Sequence, residues 1–124
     1  MNGSLRSVSS LFVFAAVSAC VGSPCDNNVL SEVVSPDKRY IATAFAHDCG
    51  ATAPAATAVT IRAVGKEFQG NDVGEFVFTM REDHAVSVIW SGPSQLVIER
   101  AANANDIFKE LTRWNDVQIE YRSP

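Results

Sequence analysis

The 124-residue sequence has few of the groups that carry enzyme chemistry: two histidines, His47 and His84, and three cysteines, Cys20, Cys25 and Cys49. It contains no Gly-x-Ser-x-Gly elbow, no glycine-rich phosphate loop and no paired-carboxylate signature among its scattered acids. The serine-hydrolase and nucleotide-dependent classes therefore have no support, and no cofactor is implied. There is no run of like charge and no basic patch, and the formal net charge is −4. That balance disfavours nucleic acid as a partner. No apolar run reaches the about 20 residues that a permanent membrane span takes.

What is present begins at the N-terminus. Residues 1–19 have the layout of a secretory signal, with Arg6 as the basic n-region and an apolar stretch through Leu11, Phe12, Val13, Phe14, Ala15, Ala16 and Val17. Val17-Ser18-Ala19-Cys20 resembles the lipobox of bacterial lipoproteins, in which the cysteine is acylated and becomes the new N-terminus. Val17-x-Ala19 equally satisfies the small-residue rule for ordinary cleavage after Ala19. The lipid reading predicts a protein held to the bacterial cell envelope through Cys20 and facing the periplasm. Val21 rather than aspartate after the cysteine resembles the pattern for outer-membrane delivery. Loss of residues 1–19 removes Arg6 alone, so the net charge moves from −4 to −5. An acidic body of this kind would attach through acyl chains and not through headgroup charge. Residues 20–28, with Gly22 and Pro24, read as a tether, and 29–124 as a single domain.

That domain reads as short strands between turns. Strands are expected over 29–34, 40–48, 57–64, 75–80, 85–90, 95–100 and 117–121. Ser35-Pro36-Asp37 and Ser91-Gly92-Pro93-Ser94 are the clearest turns. In 40–48, Ile41, Thr43, Phe45 and His47 alternate with Tyr40, Ala42, Ala44 and Ala46, which predicts an internal strand buried on both faces. Phe76, Phe78 and Met80 are expected to face inward together. Residues 107–114 are ambiguous: Asp106 would cap a helix with Ile107, Phe108, Leu111 and Trp114 on one face. A strand over 107–111, pairing with 95–100, fits the even spacing of its neighbours better. Two segments have the flavour of propeller blades, but the chain has room for two blades at most and a closed propeller needs four or more. The fold expected is all-β: one small antiparallel sandwich or twisted meander of about six to eight strands.

If Cys20 carries lipid, Cys25 and Cys49 remain, and an exported protein would join them. Were Val34 and Tyr40 opposed across a five-residue loop, Cys25 and Cys49 would face each other at the open end of the hairpin. A four-residue loop would shift the register by one and put them on opposite faces.

His47-Asp48-Cys49 is the one cluster with chemical promise. His47 and Cys49 share a strand face, about 6–7 Å apart at Cα, so an imidazole base could serve a thiol nucleophile. A disulfide to Cys25 would silence that chemistry, and no catalytic residue is assigned. A metal set of His47, Asp48, Cys49 and His84 matches no ligand spacing, so no metal is expected. Tyr40, Trp90, Trp114 and Tyr121 would line a ligand groove or form the core itself. The small-residue loop over 50–56 is a candidate for partner contact.

Cys25, Ser35-Pro36-Asp37, Asp48-Cys49-Gly50-Ala51-Thr52, Trp90, Leu96, Ile98 and Ile119-Glu120-Tyr121 together resemble a family of small bacterial envelope lipoproteins (a domain of unknown function). Lys38 stands where that family tends to have glycine, and Ala53 where it tends to have threonine. The resemblance implies an envelope location and brings no catalytic residues with it. The sequence thus predicts a membrane-tethered, non-catalytic interaction or structural module with an envelope protein as partner. A small periplasmic ligand-binding module is the alternative, and a thiol enzyme using Cys49 and His47 comes third.

Overall fold

A computed structural model describes residues 25–50, 55–81, 85–101 and 103–124. The signal segment, Cys20, most of the 50–56 loop and His84 lie outside the described residues. The fold is all-β, two sheets packed as a sandwich. One sheet has the order β1-β2-β3-β4-β7, the other β5-β6-β9-β8. In chain order these are β1 Asp26–Val34, β2 Tyr40–Asp48, β3 Ala56–Ala63, β4 Phe76–Arg81, β5 Val86–Gly92, β6 Gln95–Arg100, β7 Ile107–Glu110, β8 Arg113–Trp114 and β9 Val117–Arg122. Single 3-10 turns precede β4 and β7.

β2 is an internal strand, as its alternation predicts. Ala42 and Ala44 face the second sheet and join Val59, Ile61, Phe78 and Met80 against Val88, Leu96, Ile98, Val117 and Ile119. Their small side chains allow close sheet-on-sheet approach. The other face of the first sheet carries a second cluster of Phe45, Ala58 and Phe76, closed over by Phe68 of the 64–75 connection. Coverage on both faces explains why β3, with the sequence ATAVTIRA, is almost continuously buried and rich in β-branched residues. Phe76 belongs to the outer cluster and not with Phe78 and Met80. The β3–β4 register slips between Val59 and Thr60, so Val77 is the extra residue and Phe76 turns to the opposite face.

The segment 107–110 is a strand, but its partner is β4 and not β6. The sandwich is also not purely antiparallel, because β6 and β9 run parallel. Between β6 and β9 the chain visits the first sheet as β7 and returns to the second as β8, which runs antiparallel to β9. The two-residue β8 supplies the strand beyond the expected six to eight.

β1 begins at Asp26, inside the segment that reads as a tether. At the turn its register is Val34↔Ile41, one residue off the expected pairing, and it changes between Val29 and Ser31. Leu30 is the extra, bulged residue. Beyond it the pairs are Val29↔Phe45, Asn28↔Ala46, Asn27↔His47 and Asp26↔Asp48, the register that opposes Cys25 to Cys49. The longer turn would have separated the cysteines, and the bulge brings them back together.

In that turn the Lys38 N–H donates to Ser35 O at 2.8 Å, and Lys38 has φ +62°. A left-handed conformation costs a side-chain-bearing residue about 1–2 kcal/mol, part of which glycine offsets by its own entropy. Lys38→Gly is expected to stabilise the protein by about 0.5–1 kcal/mol, read as a higher urea midpoint at unchanged slope. An unchanged or lower midpoint would contradict this account of the turn.

Candidate functional site

The outer face at the open end of the β1–β2 hairpin is built from two adjacent cross-strand pairs. Asn27 lies opposite His47, and Cys25 lies opposite Cys49. The cysteines are joined by a disulfide, with Cα atoms 4.0 Å apart. Cys49 Sγ lies 3.1 Å from His47 Nε2. The base and sulfur of the expected pair are therefore within reach, but the sulfur is already bonded. Asp48 turns away: it is exposed, and its carboxylate accepts the Gly50 N–H at 2.9 Å.

His47 is buried, held edge-on between Phe45 and Phe76 at centroid distances of 6.0 and 5.1 Å. Its Nδ1 lies 2.6 Å from Asn27 Oδ1. The orientation of the Asn27 amide follows from its other contacts: Nδ2 donates to Asn71 Oδ1 at 2.9 Å and to Cys25 O at 3.4 Å. Oδ1 is thus the atom facing the ring, and Nδ1 must carry the proton. In the neutral tautomer that this contact selects, Nε2 presents its lone pair to Cys49 Sγ, 3.1 Å away. Gly70 of the 64–75 connection presses on this amide, and a Cβ there would fall 2.6 Å from Asn27 Cγ. Asn27 is the residue that sequence reasoning missed. The register that opposes the two cysteines also opposes Asn27 to His47, which is where a signal for it lay.

The four aromatics divide. Tyr40 stacks on Trp90 at 6.5 Å and meets Trp114 edge-on at 5.3 Å, while the Trp90 indole N–H donates to Val33 O at 2.9 Å. Tyr121 sits elsewhere, against Phe78, its hydroxyl donating to Leu111 O. Burial raises the Tyr121 phenol well above its ordinary value. Trp114 lines a groove of about 480 Å³ between the end of β3 and residues 66–75. Lys66, Glu67, Asp72 and Glu75 supply its charge. Arg62 also lines it but is engaged, donating to Thr43 Oγ1 at 2.7 Å and Lys66 O at 3.0 Å and pairing with Glu32 at 3.2 Å.

At the turn end, Arg39 joins three loops. It pairs with Asp37, with Asp116 in the β8–β9 turn at 3.1 Å, and donates to Ser94 in the β5–β6 turn at 3.2 Å. The Tyr40 hydroxyl donates to Asp116 at 2.6 Å. Asp116 is held below the ordinary carboxylate range by the Tyr40 hydroxyl and then by Arg39. Asp37 is lowered by Arg39 and then by Ser35. Tyr40 is raised because its proton is shared with Asp116. A lowered carboxylate stabilises the fold above its unfolded value, about pH 4, and that contribution is lost as pH falls through the folded value. A raised tyrosine stabilises below about pH 10 and loses its contribution above it. This network's contribution to the urea midpoint is therefore expected to be lost as pH falls below about 4 and as it rises above about 10, with shallower limbs in Asp116→Asn. An acid limb unchanged by Asp116→Asn would remove this network from the account.

No protein family, curated protein or solved structure matches the chain.

Proposed function

We propose that the chain is a membrane-tethered domain of the bacterial envelope that works by contact and not by catalysis. The observation that carries this reading is the Cys25–Cys49 disulfide, which occupies the sulfur that His47 faces at 3.1 Å. A disulfide of this kind belongs to an oxidising compartment. It leaves the histidine with a structural neighbour where a thiol enzyme would have a nucleophile. The tether rests on residues 11–20 of the sequence, with lipid on Cys20, and the partner expected is another envelope protein. Mass spectrometry of the N-terminus, on protein from the native host, tests the tether: a diacylated Cys20 supports it, and an unmodified Cys20 overturns it. In-cell crosslinking tests the contact. One protein recovered repeatedly supports the reading, and recovery of none removes it.

A second reading, a small ligand-binding module, is favoured by the groove beside Trp114. Tryptophan fluorescence that shifts on titration with a ligand, and no longer does so in Trp114→Phe, would favour it over the first.

A further inference from the structure

A structural staple needs no imidazole beside it, yet here a buried histidine is aimed at the sulfur and its tautomer is fixed by an oriented amide. The three potential ligand atoms of Cys25, His47 and Cys49 lie within 4.8 Å of one another. We infer that the reduced form of this cross-strand pair is a three-ligand site for one thiophilic d10 ion, Cu(I) or Zn(II). Thiolate and imidazole ligands select ions of this class. Asn27 acts on the ion through His47: by accepting a hydrogen bond from Nδ1–H it holds the tautomer whose Nε2 is free to ligate, the arrangement by which outer partners orient metal-binding histidines. The half-buried cysteines sit at the end of the hairpin, within reach of a small reductant.

The chemistry balances with a dithiol as reductant. Its thiolate attacks one sulfur of the Cys25–Cys49 bond, and its second thiol resolves the mixed disulfide. Two electrons pass to the protein, which gains two thiols, and the reductant closes its own disulfide. Binding the ion then releases both thiol protons and forms two metal–sulfur bonds and one metal–nitrogen bond. The hairpin holds His47 on β2 and the two cysteines one residue beyond the ends of β1 and β2, so the ion replaces the covalent staple with a coordinate one.

The test uses the full-length protein, oxidised and reduced, titrated separately with Cu(I) against a chromophoric chelator and with Zn(II) alone. The expected result is one equivalent of ion bound by the reduced protein and none by the oxidised protein, with a rise in melting temperature confined to the reduced form. Whichever of the two ions binds identifies the class member. Asn27→Ala should weaken binding about 10–100-fold, and His47→Gln at least as much. Near-UV circular dichroism guards against binding by an unfolded chain: the native spectrum is expected with the ion bound. Failure of the reduced protein to bind either ion overturns the inference. So does binding that leaves the native spectrum absent, or affinity unchanged in His47→Gln.

Discussion

The double variant Cys25→Ser/Cys49→Ser is expected to lose about 3.5 kcal/mol of stability, which is the loop-closure entropy of a crosslink spanning 24 residues. For a domain of this size that corresponds to a fall of about 15–20 °C in melting temperature. The loss should be uneven. β1 is an edge strand, and residues 26–29 lie between the disulfide and the bulge at Leu30. Hydrogen exchange should therefore rise first in residues 26–29, while residues 31–34, next to the Ser35–Asp37–Arg39 turn network, keep their protection. Uniform loss of protection along β1, or a change in melting temperature of only a few degrees, would show that the crosslink does not hold this end of the hairpin.

Phe45→Ala is expected to cost about 3–5 kcal/mol, as much as Phe78→Ala in the inter-sheet core. A two-layer sandwich with a solvated outer face would make Phe45 a minor residue. Here Phe45 is completely buried, edge-on to Phe76 at 5.2 Å and to Phe68 at 4.9 Å. The 64–75 connection acts as a third layer over that part of the sheet. Phe68 is only partly buried, so Phe68→Ala should cost clearly less than Phe45→Ala. Urea unfolding of the three variants separates the possibilities. A cost below about 1.5 kcal/mol for Phe45→Ala would mean that the connection does not seal this face.

Which parts of this architecture were legible in the sequence follows from how each is encoded. The alternation in residues 40–48 placed β2 in the interior and put His47 and Cys49 on one face, because side-chain direction in a strand is fixed by parity. Parity fails wherever one strand carries an extra residue. The bulge at Val77 turned Phe76 away from Phe78, and the one at Leu30 shifted half of β1. Neither residue is a glycine or proline, so neither carries a local signal for a bulge. The cysteine pairing was expected from a five-residue loop; it arises from a longer turn whose offset Leu30 cancels. The turn itself was legible in Ser35-Pro36-Asp37, whereas the left-handed backbone of Lys38 falls on a residue type that does not announce it.

The partner of β7 was not legible, because strand order is decided by the packing of whole sheets. The same holds for the parallel β6–β9 pair, which depends on a crossing between sheets through residues 107–114. At the candidate site, His47 and the two cysteines stood out by residue type. Asn27 did not, since its role exists only through the register that opposes it to the histidine.

The central claim is that Cys49, for all its nearness to His47, is a sulfur held in a disulfide with Cys25. The direct measurement is to quench whole cells of the native host in acid, alkylate free thiols before any reduction, and map the peptides. The account predicts that Cys25 and Cys49 are recovered unalkylated in one disulfide-linked pair. Recovery of Cys49 chiefly as the alkylated free thiol would contradict it and return His47 and Cys49 to the thiol-enzyme reading.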